Sequence, residues 1–283
     1  MLMDKYLVCT DLDRTLIPTG TQPESAGARS YFSQLVASEQ VVLAYVSGRD
    51  RNLVAQAIKS YQLPTPDYVI GDVGTNIYDI SDKAWRESSG WHDVISQDWN
   101  GYSRIELCNL LKDIGELRLQ EHRKQNRYKC SYYFPLHIER VKVEKTIQQK
   151  LDEKQIRASL IWSVDEPASI GLLDILPESA SKLHAIEFLR GHLHIPLNKT
   201  IFAGDSGNDL AVMASPIPSV LVANAAADVR LEAEKAAGDS GFADALYIAN
   251  GNYQGMNGNY SAGILEGINH FYPELAGSIK MSH

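Results

Sequence analysis

Tyr6-Leu7-Val8-Cys9-Thr10-Asp11-Leu12-Asp13-Arg14-Thr15 is the stretch that decides the fold. Its first five residues form a short apolar run, the pattern of a buried strand. Asp11 and Asp13 stand where that run stops, so both carboxylates fall at a strand's carboxyl end, where open α/β sheets place their ligands. Unpaired, they repel each other. A divalent cation resolves that repulsion and leaves one carboxylate free to act as a nucleophile. Asp-x-Asp is common by itself, and its downstream partners give it weight.

Working outward, strand and helix patterns alternate. Residues 25–38 carry a helical stripe of Ala28, Phe32, Leu35 and Val36, and 41–46 read as a second buried strand ending in Ser47-Gly48-Arg49. Residues 52–59 form a helix with Leu53, Val54, Ala57 and Ile58 inward, and 68–70 form a third strand. This βαβαβ run predicts a parallel sheet with right-handed crossovers. Residues 71–79 read as a turn and hairpin.

The character changes near Ile80. As far as Ser169 the chain is more polar and holds Trp85, Trp91, Trp99 and Trp162. Helices are expected at 103–114 and 138–151, the latter with Val141, Ile147 and Leu151 inward, and strands at 128–134 and 160–164. This block is large enough for its own small core. The expected organisation is an α/β core, Rossmann-like with a parallel sheet, made of residues 1–79 and 170–283, with an inserted α+β domain at 80–169. The alternation resumes with a strand at 170–176, a helix at 179–189 and a strand at 200–203 ending in Gly204-Asp205. Strands at 220–222 and 246–248 follow, with helices at 226–235 and 261–271, and 250–260 reads as a Gly/Asn-rich loop.

Four chemistry-bearing pieces fall at strand ends or helix starts of this one sheet. They are Asp11-x-Asp13-x-Thr15, Ser47-Gly48-Arg49, Lys182, and Gly204-Asp205-Ser206-Gly207-Asn208-Asp209. A hydroxyl and a backbone amide at a strand-helix junction suit a phosphate oxygen. A lysine near a helix start reaches a phosphoryl group as a point charge. In-line phosphoryl transfer needs such a set: a carboxylate nucleophile, a cation held by oxygen ligands, and a second carboxyl group to protonate the leaving alkoxide and then deprotonate water. Asp13 is placed for that second role.

Composition narrows the classes further. The net charge of -8 argues against non-specific binding to nucleic acid or an anionic membrane. No apolar run approaches a membrane span, and the residues before the first strand are too few for a signal peptide. Cys9, Cys108 and Cys130 show no metal-ligand spacing, and an odd, sparse count suits buried thiols in a reducing compartment. A cytoplasmic protein is expected. His192 and His194 read as a helix end, the basic run 123–129 as a solvated loop, and the tryptophans as core residues.

The order and spacing of the four motifs resemble the haloacid-dehalogenase (HAD) superfamily of phosphohydrolases. An insertion between the second and third motifs is similar to the subgroup with a C2-type cap. Within it the chain looks most like sucrose-phosphate phosphatases and related sugar-phosphate phosphatases, on the strength of residues 204–209, of 68–78 with Val73-Gly74-Thr75, and of the closing segment 262–271. The resemblance implies Asp11 as nucleophile and Asp13 as general acid/base. It implies Mg²⁺ held by Asp11, the Asp13 backbone carbonyl and Asp205, with Asp209 close behind. Ser47, Gly48 and Lys182 would hold phosphate, with Asn208 orienting that shell. Arg49, Gly74, Thr75 and Asn76 are candidate substrate contacts, and the insertion would set specificity. Arg14 departs from the glycine most common in the superfamily. The implied substrate is a small-molecule sugar phosphate, sucrose 6-phosphate first, with a sugar-phosphate synthase of the same pathway as a further partner and neither nucleic acid nor membrane. Another glycoside or osmolyte phosphate (mannosylfructose phosphate, glucosylglycerol phosphate) and a phosphomutase stay open as alternatives.

Overall fold

The computed structural model describes residues 5–82 and 84–277, so the opening Met1-Leu2-Met3-Asp4 lies outside the described residues. Two compact units emerge, one formed by 1–87 with 182–283, the other by 88–181. Both boundaries fall later than those expected at 80 and 169.

The first unit is built on an eight-stranded sheet. Its strands are β1 (Tyr6–Thr10), β2 (Val41–Val46), β3 (Tyr68–Gly71), β4 (Asn76–Asp79), β5 (Arg86–Glu87), and, after the second unit, β10 (Thr200–Gly204), β11 (Ser219–Leu221) and β12 (Leu246–Ile248). The spatial order is β12-β11-β10-β1-β2-β3-β4-β5, parallel from β12 through β3 and antiparallel over the last two pairs. Every residue of β2 and all but the first of β1 are buried, as expected for central parallel strands covered on both faces.

Val8, Leu43, Tyr45, Val69, Ile201 and Val220 share one sheet face. They pack with Phe32 and Leu35 of α1 (Ala28–Val36), Val54 and Ala57 of α2 (Arg51–Ser60), and Ile264, Leu265 and Ile268 of a later helix, 261–271. That later helix approaches the sheet closely because Gly263 and Gly267 stand where a Cβ would overlap Gly258 and Val220.

The second unit is a four-stranded antiparallel sheet ordered β6-β7-β9-β8. Its strands are β6 (Arg118–Leu119), β7 (Cys130–Phe134), β8 (Ala158–Asp165) and β9 (Ile170–Pro177). Residues 170–176 therefore belong to the second unit's sheet and not to the core sheet where the sequence placed them. Its helices are α3 (Ser89–Ser96), α4 (Arg104–Leu111) and α5 (Arg140–Asp152). Buried Trp91, Trp99, Leu107, Leu111, Val143, Ile147 and Leu151 supply the core. Val143, not Val141, lies on the inner stripe of α5, since 143, 147 and 151 repeat every four residues. Trp85 belongs to the first unit, edge-on to Tyr78.

Asp98, 1% exposed, ties the unit together: it accepts from Arg157 and from the Ser179 amide (2.6 Å). Cys108 and Cys130 are joined as a disulfide, leaving only Cys9 as a free, buried thiol among the described residues. That corrects the expectation of three thiols and removes the cysteine count as an argument for a reducing compartment.

The remaining helices are α6 (Lys182–His192), α7 (Leu210–Met213), α8 (Ala227–Asp239), α9 (Ser261–Phe271) and α10 (Pro273–Ala276), all in the first unit. Among the described residues no helix is long and apolar enough to cross a membrane.

The two valines of α5 give a direct check of its orientation. Val143→Ala should cost about 1–3 kcal/mol in urea unfolding through lost burial, while Val141→Ala, 82% exposed, should cost under about 0.5 kcal/mol. Equal costs would contradict this packing.

Candidate active site

β10, β1 and β2 are parallel neighbours in register, Thr10 standing opposite Ala203 on one side and Tyr45 on the other. Asp11, Asp205 and Ser47 each follow the end of one of these strands, so adjacency in the sheet makes them adjacent at its carboxyl edge. The Asp11 amide continues the ladder by donating to the Ala203 carbonyl (2.9 Å). Asp11, Asp205 and Asp209, all buried, each bring a carboxylate oxygen within 4.8 Å of the other two.

Asp209 is fixed by the loop that opens after β10. One of its carboxylate oxygens accepts from the Asp205 and Ser206 amides (3.1 Å each). Gly204 makes this possible, because a Cβ there would overlap the Asp209 carboxylate. Thr15 Oγ1 donates to Asp205 (3.0 Å), and Arg14 Nε donates to its other oxygen (3.1 Å).

Lys182, the first residue of α6, lies among these groups. Its Nζ is 3.1 Å from Asp11 Oδ2, 2.6 Å from Asp209 Oδ1 and 3.1 Å from Asn208 Oδ1, and the residue is 4% exposed. Burial works against its charge, but Asp11 and Asp209 outweigh burial and hold the ammonium above its ordinary range. For Asp11 burial dominates and pushes the carboxyl up to about 7; Lys182 opposes, Asp209 adds to the rise, and the Leu12 amide opposes. Asp205 is likewise raised by burial and by Asp209, against Thr15 and Arg14. Three carboxylates thus face two cations, Lys182 and Arg14, and the surplus is negative.

The Asp13 carboxylate is paired outside this cluster. Arg49 Nε donates to its Oδ2 (2.7 Å) and Arg49 Nη2 to its Oδ1 (2.6 Å), a two-armed ion pair. Any contribution of Asp13 to a metal therefore rests on its backbone carbonyl alone. Arg49, read from sequence as a substrate contact, is engaged here by Asp13.

Ser47 is buried, its Oγ accepting from the Arg49 amide (3.2 Å), and Gly48 beside it is exposed. Gly74, Thr75 and Asn76 are not brought to the cluster as open groups. Thr75 is 0% and Asn76 6% exposed, and both brace the turn after β3 by donating to Asp72 (3.0 Å each). That turn needs support, because Asp72, Val73 and Gly74 all have positive φ.

One residue at the site escaped the sequence reading. Buried Asn224 donates to the Arg14 carbonyl (2.6 Å) and accepts from the Tyr260 amide (2.8 Å). It holds two non-glycine residues at positive φ, Arg14 (57°) and Tyr260 (52°). The available signal was position: Asn224 follows β11 at the same sheet edge as Asp11 and Asp205.

The donor set fits a hard divalent cation, which prefers several carboxylate oxygens in a buried, negatively charged pocket. Asp11, Asp205 and Asp209 are the residues that would hold it or lie directly behind it.

The family model described as sucrose-6F-phosphate phosphohydrolase matches residues 4–272. The chain belongs to that family. It is a phosphoric monoester hydrolase with the HAD fold. A putative HAD-like hydrolase of Nitrosococcus oceani is 50% identical over 96% of this chain and 73% of its own length. The mannosylfructose-phosphate phosphatase of Agrobacterium fabrum is 30% identical over 77% of this chain and 83% of its own. Among solved structures, the sucrose-phosphatase of Synechocystis in complex with sucrose and phosphate superposes with a TM-score of 0.71 at 25% identity, covering 95% of this chain and 98% of that one.

The raised Asp11 group makes a test of the metal-free site. Folding favours its protonated form, so its contribution to stability is complete below the ordinary carboxylate value of 3.8 and is lost as pH rises through about 7. In EDTA the thermal midpoint should therefore fall between about pH 5 and pH 7.5, and a saturating divalent cation should flatten the slope. A metal-free midpoint that climbs across this window would contradict the assignment.

Proposed function

We propose that this phosphohydrolase cleaves a disaccharide phosphate, sucrose 6-phosphate first, to free sugar and phosphate through an aspartyl-phosphate on Asp11, with Mg²⁺ as its metal. The observation that carries the reading is the buried cluster of Asp11, Asp205 and Asp209 around Lys182 at the carboxyl ends of β1 and β10.

Asp11 is poised as nucleophile because its carboxylate is fixed at both oxygens. The Leu12 amide donates to Oδ1 (2.7 Å) and Lys182 lies 3.1 Å from Oδ2. One Asp11 oxygen attacks phosphorus as the bond from phosphorus to the sugar oxygen breaks. Asp13 delivers a proton to the departing alkoxide and then takes one from the water that attacks the aspartyl-phosphate, whose hydrolysis restores Asp11. Lys182, with Ser47 and the Gly48 amide, neutralises and orients the phosphoryl oxygens. Mg²⁺, when bound, supplies Lewis-acid charge stabilisation of the phosphoryl group. Asn208, 3.1 Å from Lys182 Nζ, keeps that ammonium directed.

These groups all lie in the first unit, so we assign selection of the sugar to the 88–181 unit. A second reading, mannosylfructose phosphate as substrate, is favoured by the 30% identity to the Agrobacterium fabrum phosphatase.

Phosphate release measured with Mg²⁺ over phosphorylated mono- and disaccharides tests both readings. A preference for sucrose 6-phosphate is expected. A preference for mannosylfructose phosphate selects the second reading, and equimolar phosphoryl return to sugar without free phosphate would contradict both. Asp11→Asn should lower the rate by at least about 10³-fold, since an amide is a poor nucleophile. Asp205→Ala should shift the Mg²⁺ titration to much higher concentration, and an unchanged titration would mean that the metal lies elsewhere.

A further inference from the structure

Arg49 has a role that the scheme above leaves unassigned. Its backbone is held on several sides. The Arg49 amide donates to Ser47 Oγ, the Asp72 amide donates to the Arg49 carbonyl (2.9 Å), and Asp50 next to it caps α2 by accepting from the Asn52 and Leu53 amides. Gly71 lets β3 pass close by, since a Cβ there would come 3.1 Å from the Arg49 carbonyl.

From this fixed base the side chain reaches Asp13. Both carboxylate oxygens are engaged by separate guanidinium nitrogens, and Nη1 rests 3.5 Å from the Leu53 carbonyl. Among the described residues, Arg49 is the side chain that holds the Asp13 carboxylate. Asp13 itself is 43% exposed and Arg49 25%.

The contrast with the other carboxylates is informative. Asp11 and Asp209 are immobilised by burial, backbone amides and Lys182, and Asp205 by burial with Thr15 and Arg14. Asp13, with neither, would turn freely about its side-chain bonds. Proton transfer needs an oxygen within hydrogen-bond reach of the leaving group, and loss of that placement costs rate steeply. A planar two-armed guanidinium fixes a carboxylate in a way that a point charge does not.

We propose that Arg49 is a positioning residue: its guanidinium sets the orientation from which Asp13 exchanges protons in both half-reactions. The inference rests on Asp13 being the general acid/base. In the first half-reaction the bond from phosphorus to the sugar oxygen breaks, the bond from phosphorus to Asp11 forms, and the Asp13 proton passes to the alkoxide. Arg49 releases one arm to admit that oxygen and keeps the other on the carboxyl group. In the second, water attacks phosphorus, its proton returns to Asp13, the bond to Asp11 breaks and the second arm closes again. Protons and bonds balance with no further reactant.

The experiment compares wild type, Arg49→Lys, Arg49→Ala and Asp13→Asn on sucrose 6-phosphate and on 4-nitrophenyl phosphate, with thermal midpoints recorded for each. On the sugar phosphate, Arg49→Ala should lower kcat by about 10–100-fold while KM stays within about threefold, and Arg49→Lys should recover part of the loss. Nitrophenolate leaves without a proton, so with that substrate Arg49→Ala should release a burst of nitrophenol equal to the enzyme present, followed by slow turnover. The burst is the signature that a merely structural defect would not produce.

A rise in KM confined to the sugar phosphate, with kcat kept, would overturn the proposal and make Arg49 a substrate contact. Unchanged kinetics, or a loss that follows the thermal midpoint with no burst, would overturn it as well. Asp13→Asn separates the levels: if it leaves turnover intact, the acid/base assignment itself fails, whereas a dead Asp13→Asn beside a normal Arg49→Ala removes only the positioning role.

Discussion

Three carboxylates and one ammonium share a buried space at the carboxyl edge of the large sheet, and much of the first unit is arranged to make that tolerable. Isolated burial of such charges is prohibitive, so they persist only when paired and hydrogen-bonded. Lys182 spans Asp11 and Asp209, and Thr15 and Arg14 serve Asp205. Backbone amides released at the strand end hold Asp209. The remaining negative surplus is what a divalent cation offsets, while burial, with Asp209 adding to it, keeps the Asp11 carboxyl raised against Lys182 when no cation is bound.

The parallel register of β10, β1 and β2 converts distant sequence positions into this cluster. Each strand contributes its first residue past the last rung, so a fold with buried, fully paired central strands places polar groups at one edge without breaking its core. Strained backbone accumulates at that same edge. Arg14, Asp72, Val73 and Tyr260 all take positive φ, and Asn224 braces two of them through a single amide group. Such strain persists only where the surroundings over-determine it, which fits a site whose geometry must be kept.

Much of this was legible in the chain, for identifiable reasons. The apolar run before Asp11, the strand before Ser47 and the strand before Asp205 each carry a buried-strand signature, and their common sheet follows from alternation with helices. Residues 170–176 read as a core-sheet strand because β9 lies between β7 and β8 and is largely buried, so its apolar character matches that of a core strand. Val141 falls off the inner stripe because it lies six residues before Ile147, about 120° around the helix, while Val143 keeps the four-residue spacing. The pairing of Cys108 with Cys130 has no local signal, because it joins a helix to a strand across the second unit. Arg49 and Asp13 are 36 residues apart, and their ion pair depends on side-chain directions at two strand ends that periodicity does not encode.

The covalent step at Asp11 is the claim on which the roles of Asp13, Lys182 and the metal all depend. Rapid acid quenching during turnover of the sugar phosphate, followed by peptide mass spectrometry, tests it most directly. A phosphoryl adduct on the peptide that carries Asp11, absent from Asp11→Asn, is the expected result. An adduct on a different residue, or normal turnover with no trapped phosphoenzyme, would contradict the account.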